Sequence, residues 1–375
     1  MTSASMLLVV LLACGWAYWG LAAFAAQRWR RRAPSEPGLT PPVSVIKPVC
    51  GLEPDLRANL TSFCTQVYPD YEVLFVAERD DDPGLAVARE VAAQFASLRT
   101  VVLSAGQRVG RNLKVCGLHH AQCHARHDII AVSDSDMRVT PGYLQRVIAP
   151  LADPSVGVVT CLYRGVDAKG LASSLETLAI GADFIPSVLV AWLLQGPRFG
   201  FGSTLAVRRG PLEASGGFVS VADELADDYR LAERIRATGA KEVLSGYVVE
   251  CVLGHQAFRA MWRRRLRWSR TVRTLSPAGW VGTLVTHVTI VAALLACVRP
   301  SLVAVWALAA TVLWRAACAA AIAGRTEDQG VLRLLWLLPI SDLLTFVLWM
   351  ASFTGRSVAW RGRELRFGPG GRLGS

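Results

Sequence analysis

Asp134 and Asp136 are the residues of this chain best suited by type and spacing to do chemistry. They follow Ile129–Ser133, an apolar run of strand length, within Asp128–Arg138 (DIIAVSDSDMR). An apolar run bounded by polar residues is the pattern of a central strand in a parallel sheet. The C-terminal ends of such strands are where open α/β sheets bind ligands. Two carboxylates there can hold a hard divalent cation, Mg²⁺ or Mn²⁺, and the cation can hold a diphosphate. Taken alone, the same residues also fit a solvated acidic turn. Four further acids, Glu78, Asp80, Asp81 and Asp82, follow a second apolar strand at Glu72–Ala77. Asp227 and Asp228 open an amphipathic stretch, Glu224–Thr238, where acids also suit a helix N-terminus without any chemistry. Cys116, His119, His120, Cys123, His124 and His127 recur at helical spacing. They read either as a zinc site or, since no recognised ligand spacing is present, as an ordinary amphipathic helix.

The elements that must position these residues alternate. Val43–Ile46, Glu72–Ala77, Thr100–Leu103, the run before Asp134, and Val156–Leu162 read as strands. Helices are expected over Glu53–Gln66, from Pro83 to Phe95, after Gly110-Arg111-Asn112-Leu113-Lys114, and over Pro141–Leu151. Repeated βα units predict a mostly parallel sheet covered by helices. Phe199–Val207 reads as a further strand in which Gly200 and Gly202 let backbone approach a ligand.

Composition places this α/β region beside a membrane. Of 375 residues, 52% are hydrophobic, and the excess lies at the N-terminus and after Pro277. Met6–Ala26 is long enough to span, and Arg28 and Arg30–Arg32 behind it predict a cytoplasmic side there. Gly170–Gln195 is apolar but broken by Glu176, Asp183 and Pro186, so it reads as helix near the membrane surface or packed on the sheet. Met261–Trp268 (MWRRRLRW) fits an interfacial helix on an anionic leaflet, and also a guanidinium clamp on a diphosphate. Trp280–Val298 and Ser301–Gly324 are apolar enough to span. Val331–Phe353 carries Pro339 and Asp342 and is expected to be interfacial or re-entrant, which also keeps the basic tail cytoplasmic. Arg315 and Asp342 are expected to pair. The net charge of +11 lies in runs beside apolar segments, which favours an anionic membrane surface over nucleic acid. Nine dispersed cysteines read as free thiols of a reducing compartment.

With these residues in place, the chain resembles the family-2 glycosyltransferases of the ceramide glucosyltransferase type. The matching pieces are Val43–Pro48, Asp81-Asp82-Pro83, Gly110-x-Asn112-x-Lys114, Asp134-Ser135-Asp136, Asp227-Asp228-Tyr229, Arg264-x-x-Arg267-Trp268 and Trp360-Arg361-Gly362-Arg363. Their order covers nearly the whole chain from Pro42. Within that group it is most similar to bacterial hopanoid-biosynthesis glycosyltransferases. The resemblance implies a GT-A-like nucleotide-diphospho-sugar domain, mostly parallel in its sheet, with N- and C-terminal transmembrane helices. It implies donor contacts from Lys47, Pro48, Glu78, Asp80, Asp82, Lys114 and Asp134, and Mg²⁺ or Mn²⁺ on Asp134 and Asp136. Asp228 takes the position of the general base, and Arg264, Arg267 and Trp268 help close the site. The implied partners are a UDP-sugar, UDP-GlcNAc before UDP-glucose, and a lipid acceptor, a hopanoid polyol before ceramide. The expected layout is an anchor and basic flank at 1–32, a linker at 33–42 and a cytoplasmic catalytic domain at 43–254. An interfacial helix at 255–279, membrane segments at 280–353 and a basic tail at 354–375 follow, all as a multi-pass protein of the inner membrane.

Overall fold

The computed structural model describes residues 3–32, 40–104, 106–355, 357–360, 363–367 and 372–374. The chain divides into two compact units: 32–167 with 195–254, and 1–31 with 168–194 and 255–375. The expected linker falls mostly outside the described residues, as do Arg361 and Gly362.

The first unit is an eight-stranded mixed sheet. Its strands are β1 (Val43–Val49), β2 (Tyr71–Ala77), β3 (Thr100–Ser104), β4 (Ile129–Val132), β5 (Met137–Arg138), β6 (Val156–Val166), β7 (Leu205–Arg208) and β8 (Lys241–Val252). Their order is β3-β2-β1-β4-β7-β6-β8-β5. β1 pairs in parallel with β2 and β4, β2 with β3, and β6 with β8; β7 runs antiparallel between β4 and β6. The apolar runs of β1, β2 and β4 are buried along nearly their whole length, as strands covered on both faces require. One core cluster joins these strands to flanking helices through Ile46, Leu74, Val132, Leu118 and Leu231. The strand expected at Phe199–Val207 is confined to Leu205–Arg208, and the glycine-bearing stretch before it is a turn closed by a Phe201–Thr204 bridge.

The second unit is helical. Ser3–Arg31, Leu171–Gln195, Leu302–Thr326 and Gln329–Ser352 provide helices long and apolar enough to cross a membrane. The 43–254 region is therefore not one continuous domain, because 168–194 belongs to the helical unit. Leu171–Gln195 belongs to this helical unit although it lies in sequence between two stretches of the sheet unit. Val331–Phe353, expected to be interfacial or re-entrant, falls, all but Phe353, within one of these apolar helical stretches. Gln329–Ser352 runs on, and Pro339 opens the Leu338–Ser352 segment, where its missing N–H removes no helical bond. The sharp bend, 62°, lies instead between Pro277–Thr286 and Val288–Val298. The expected Arg315–Asp342 pair forms at 3.2 Å, and Asp183 adds a second carboxylate to Arg315 at 2.7 Å. The last described residues pair as a small three-stranded antiparallel sheet.

Candidate active site

β4 ends at Val132, and the chain turns through Ser133–Asp136 before β5 begins. Backbone bonds hold that turn, among them Ser133 N–H donating to Ile46 O at 3.2 Å and Asp134 N–H donating to Gly202 O at 2.9 Å. Beneath it lies Lys47, fully buried on β1, whose ammonium sits 3.8 Å from the Phe63 ring centroid. Lys47 Nζ donates to the carbonyls of Asp134 and Met137 and to Ser133 Oγ. Burial pulls the Lys47 ammonium down to about 7, against the pull of Asp134 and Asp136. The expectation that Lys47 and Pro48 touch a donor is thereby corrected. Both are sealed in the strand, and Lys47 supports the Asp134 turn from behind. Lys47→Met leaves those carbonyls without a donor and is expected to cost about 2–3 kcal/mol of stability, read by thermal unfolding in detergent.

Lys114 enters from the next helix, Leu113–Gln122. Asn112 caps that helix by accepting from Val115 N–H, while its Nδ2 donates to Glu224 O at 2.8 Å and to Asp227 Oδ1 at 3.2 Å. The cap therefore positions the helix start and the second acidic pair together. Lys114 Nζ lies 2.8 Å from Asp134 Oδ1 and 3.5 Å from Asp227 Oδ2. Burial alone would lower the Lys114 ammonium, but Asp134, Asp227 and Asp228 outweigh it and hold it above an ordinary lysine.

Asp228 starts the Asp227–Ala237 helix beside this bridge. Gly202 N–H donates to Asp228 Oδ2 at 2.6 Å, and Tyr229 N–H to Oδ1 at 2.8 Å. Burial first, then Asp227, raises the Asp228 carboxyl to about 6, with Lys114 opposing. A narrow cavity is lined by Lys114, Gly202, Asp227 and Asp228 on its polar side and by Leu118 and Phe218 on its apolar side. Gly202 makes a connection that the sequence reading, which singled out the residue, did not give it. Its C=O receives Asp134 N–H and its N–H serves Asp228. The sequence signal was present in the close pair Gly200 and Gly202, but what their backbone approaches includes two aspartates of the same chain.

The other expected residues have partners of their own. Asp136 is partly buried, and Cys251 Sγ donates to its Oδ2 at 3.6 Å. Asp82 caps the Pro83–Ala93 helix through Gly84 N–H and also accepts from Gly51 N–H, so it has a structural task. Asp80 is an exposed ion-pair partner of Arg89. Glu78, directly after β2, lies 3.6 Å from Arg108. Arg264, Arg267 and Trp268 lie on the Phe258–Leu275 helix of the other unit. Arg264 pairs with Glu176 at 3.2 Å, and Trp268 is exposed. The zinc reading of the Cys/His run does not hold among the described residues, where no group of three or more His, Cys, Asp or Glu can hold a metal. The nine cysteines are free thiols. Asp134 and Asp136 fit a hard cation of the kind that takes one or two carboxylates and completes its shell with phosphate and water. The cation Lys114 on Asp134 Oδ1 marks that oxygen as one that positive charge neutralises.

The sequence profile described as Glycosyl transferase family 21 matches residues 6–373. The chain belongs to glycosyl transferase family 21. Ceramide glucosyltransferase 1 of Caenorhabditis elegans is 28% identical over 223 residues, 59% of this chain and 47% of that one. Ceramide glucosyltransferase of Komagataella phaffii is 27% identical over 147 residues, 38% of this chain and 28% of that one. This family 21 chain thus spans about half the length, or less, of these curated relatives. Among solved structures, a mannosyltransferase from Pyrobaculum calidifontis, in complex with GDP-Man and Mn2+, superposes with a TM-score of 0.57 at 21% identity. That likeness covers 93% of this chain and 98% of the other, and the shared fold is GT-A-like, with apolar helices toward both termini of the family 21 chain.

Proposed function

We propose that the protein transfers a sugar from a nucleotide-diphosphate sugar to the hydroxyl of a membrane lipid. The observation that carries this reading is the bridge of Lys114 between Asp134 and Asp227, with Asp228 tied to Asp134 through Gly202. The relatives named as ceramide glucosyltransferases support ceramide and UDP-glucose, the second choice of the sequence reading, over a hopanoid polyol and UDP-GlcNAc.

Asp134 and Asp136 would hold Mg²⁺ or Mn²⁺, which when bound supplies charge neutralisation of the departing diphosphate. Lys114 adds fixed positive charge beside Asp134 and Asp227. Asp228 takes the proton of the lipid hydroxyl as its oxygen forms the new bond to the anomeric carbon and the bond to UDP breaks. A single displacement with one base inverts the anomeric carbon, so an α-linked donor gives a β-glycoside. The carboxyl of Asp228 near 6 makes it a stronger base than an ordinary aspartate, yet still ionised at neutral pH.

The base must be ionised, so the rate rises with pH through about 6 and levels above it. A kcat/KM profile on the lipid acceptor checks this, and a profile flat from about pH 5 to 8 excludes Asp228 as the base. The functional test is product mass spectrometry with purified protein, Mg²⁺ or Mn²⁺, both UDP-sugars, ceramide and a hopanoid polyol. A hexosylceramide supports ceramide as acceptor and UDP-glucose as donor; a hexosamine-bearing hopanoid moves the substrate to the other class. A glycolipid of neither kind, with the donor bound, overturns both.

The basic residues after the first apolar helix support a sheet unit on the cytoplasmic side. If the bent Pro277–Val298 segment is re-entrant, the two helices after it return the basic tail to that same side.

A further inference from the structure

The helical unit contains a polar cluster of its own, besides the acidic residues of the sheet unit. Arg264 holds two side chains at once: its Nε lies 3.2 Å from Glu176 Oε1, and its Nη2 donates to Gln256 Oε1 at 2.6 Å. Each of those partners keeps its second polar atom buried and without a hydrogen bond, Glu176 Oε2 as an acceptor and Gln256 Nε2 as a donor. Next along the helix, Arg265 is 7% exposed, and Glu176 is 1% exposed. Arg265 Nη2 donates to Thr345 Oγ1 at 2.7 Å, Thr345 donates to Asp183 Oδ2 at 2.9 Å, and Arg265 Nη1 has no partner. Glu176 and Asp183 flank or lie in a π-helical stretch, Ala179–Phe184, a backbone form that recurs at functional sites.

Buried polar atoms left unpaired cost about 1–3 kcal/mol each, so the three around Arg264 and Arg265 point to a missing group. That group must accept from two donors and donate to a carboxylate oxygen, which describes a hydroxyl or a secondary amide. Charge narrows it further. The three guanidiniums of Arg264, Arg265 and Arg315 are matched by the three carboxylates of Glu176, Asp183 and Asp342. A balanced cluster has no surplus positive charge for a phosphate.

We propose that Glu176, Gln256 and Arg265 form a binding site for the neutral, hydroxyl- or amide-bearing head of a membrane lipid. That this lipid is the sugar acceptor rests on the function proposed above; binding itself does not. Glu176 Oε2 takes a hydrogen from the lipid head, and Arg265 Nη1 and Gln256 Nε2 donate to its oxygens. Glu176 and Gln256 thereby select for a neutral head while holding Arg264 in place.

The test uses the full chain in nanodiscs with a diazirine-bearing ceramide and no sugar donor. Photo-crosslinking is expected to be competed by unlabelled ceramide and not by phosphatidylglycerol. Glu176→Gln replaces the accepting oxygen with a donor and is expected to reduce crosslinking at least fivefold. In turnover assays it is expected to raise the KM for ceramide about tenfold, with UDP-glucose affinity within twofold of wild type. Gln256→Leu carries the same expectation and serves if Glu176→Gln does not insert. Wild-type crosslinking in both variants, or competition by phosphatidylglycerol, overturns the site. Crosslinking that depends on Glu176, in a protein that transfers no sugar, leaves the site standing and removes the glycosyltransferase reading instead.

Discussion

Asp228→Asn is expected to lower turnover about a thousandfold, within the usual range for removal of a general base. The substitution is nearly isosteric. An asparagine oxygen can still accept from Gly202 N–H, so the loop that carries Asp134 should stay in register. What disappears is the basicity that burial and Asp227 give the carboxylate, whose ordinary value is pushed up to about 6. Donor affinity should therefore change little while kcat collapses, and the acid limb of the pH profile should vanish from the residual activity. Steady-state kinetics with calorimetric UDP binding separates the two effects. Near-normal turnover would transfer the base to another group. Asp227 is the first alternative, although both of its oxygens are already engaged by Lys114 and Asn112.

Gly202→Ala is expected to cost about a hundredfold in kcat, although it adds a single methyl group. A Cβ at that position would overlap Asp134 Oδ2 and stand 3.2 Å from Lys114 Nζ. Overlap of that kind forces Asp134 to move, and Asp134 cannot move without loosening its bond to Lys114 at 2.8 Å. Misplacement of a reacting constellation by about 1 Å commonly costs about a hundredfold. The same methyl pushes on the peptide that serves Asp228, so the base is disturbed with the carboxylate opposite it. Thermal unfolding should shift little, because the turn lies at the edge of the cavity. Weaker Mn²⁺ dependence of UDP binding, measured by titration, is the readout that a purely structural defect would not produce. Wild-type kinetics in Gly202→Ala would mean that the loop yields and that Gly202 does not set the distance between the two aspartates.

Lys47 and Asp82 carry structural tasks that their motifs do not announce. Both are polar residues at strand ends or helix starts, and both sit in motifs associated with donor binding. Yet Lys47 supports the Asp134 turn from inside the sheet, and Asp82 holds backbone at Gly51 and Gly84. A charged residue in a strand pattern carries no mark that tells whether its alternate face is solvent, ligand or core. Only packing decides that, and in this fold Phe63 covers the ammonium. Likewise β8 is hard to read in one dimension because KEVLSGYVVECV mixes polar and apolar residues without the clean run of β4. Its place is set by the long parallel pairing with β6, which crosses two register shifts.

The sequence by itself determined the βα alternation, the acidic turn after β4, the apolar helices and the Arg315–Asp342 pair. These are local or compositional: hydrophobic period, strand-end carboxylates and charges stranded in apolar runs are visible in one dimension. The tertiary structure alone decided that 168–194 leaves the sheet unit, that Asp183 joins Arg315, and that Gly202 ties Asp134 to Asp228. Each depends on residues tens to more than a hundred positions apart. Such contacts follow from which strand lies beside which, with β7 reaching back between β4 and β6, and no periodicity in the chain records that order.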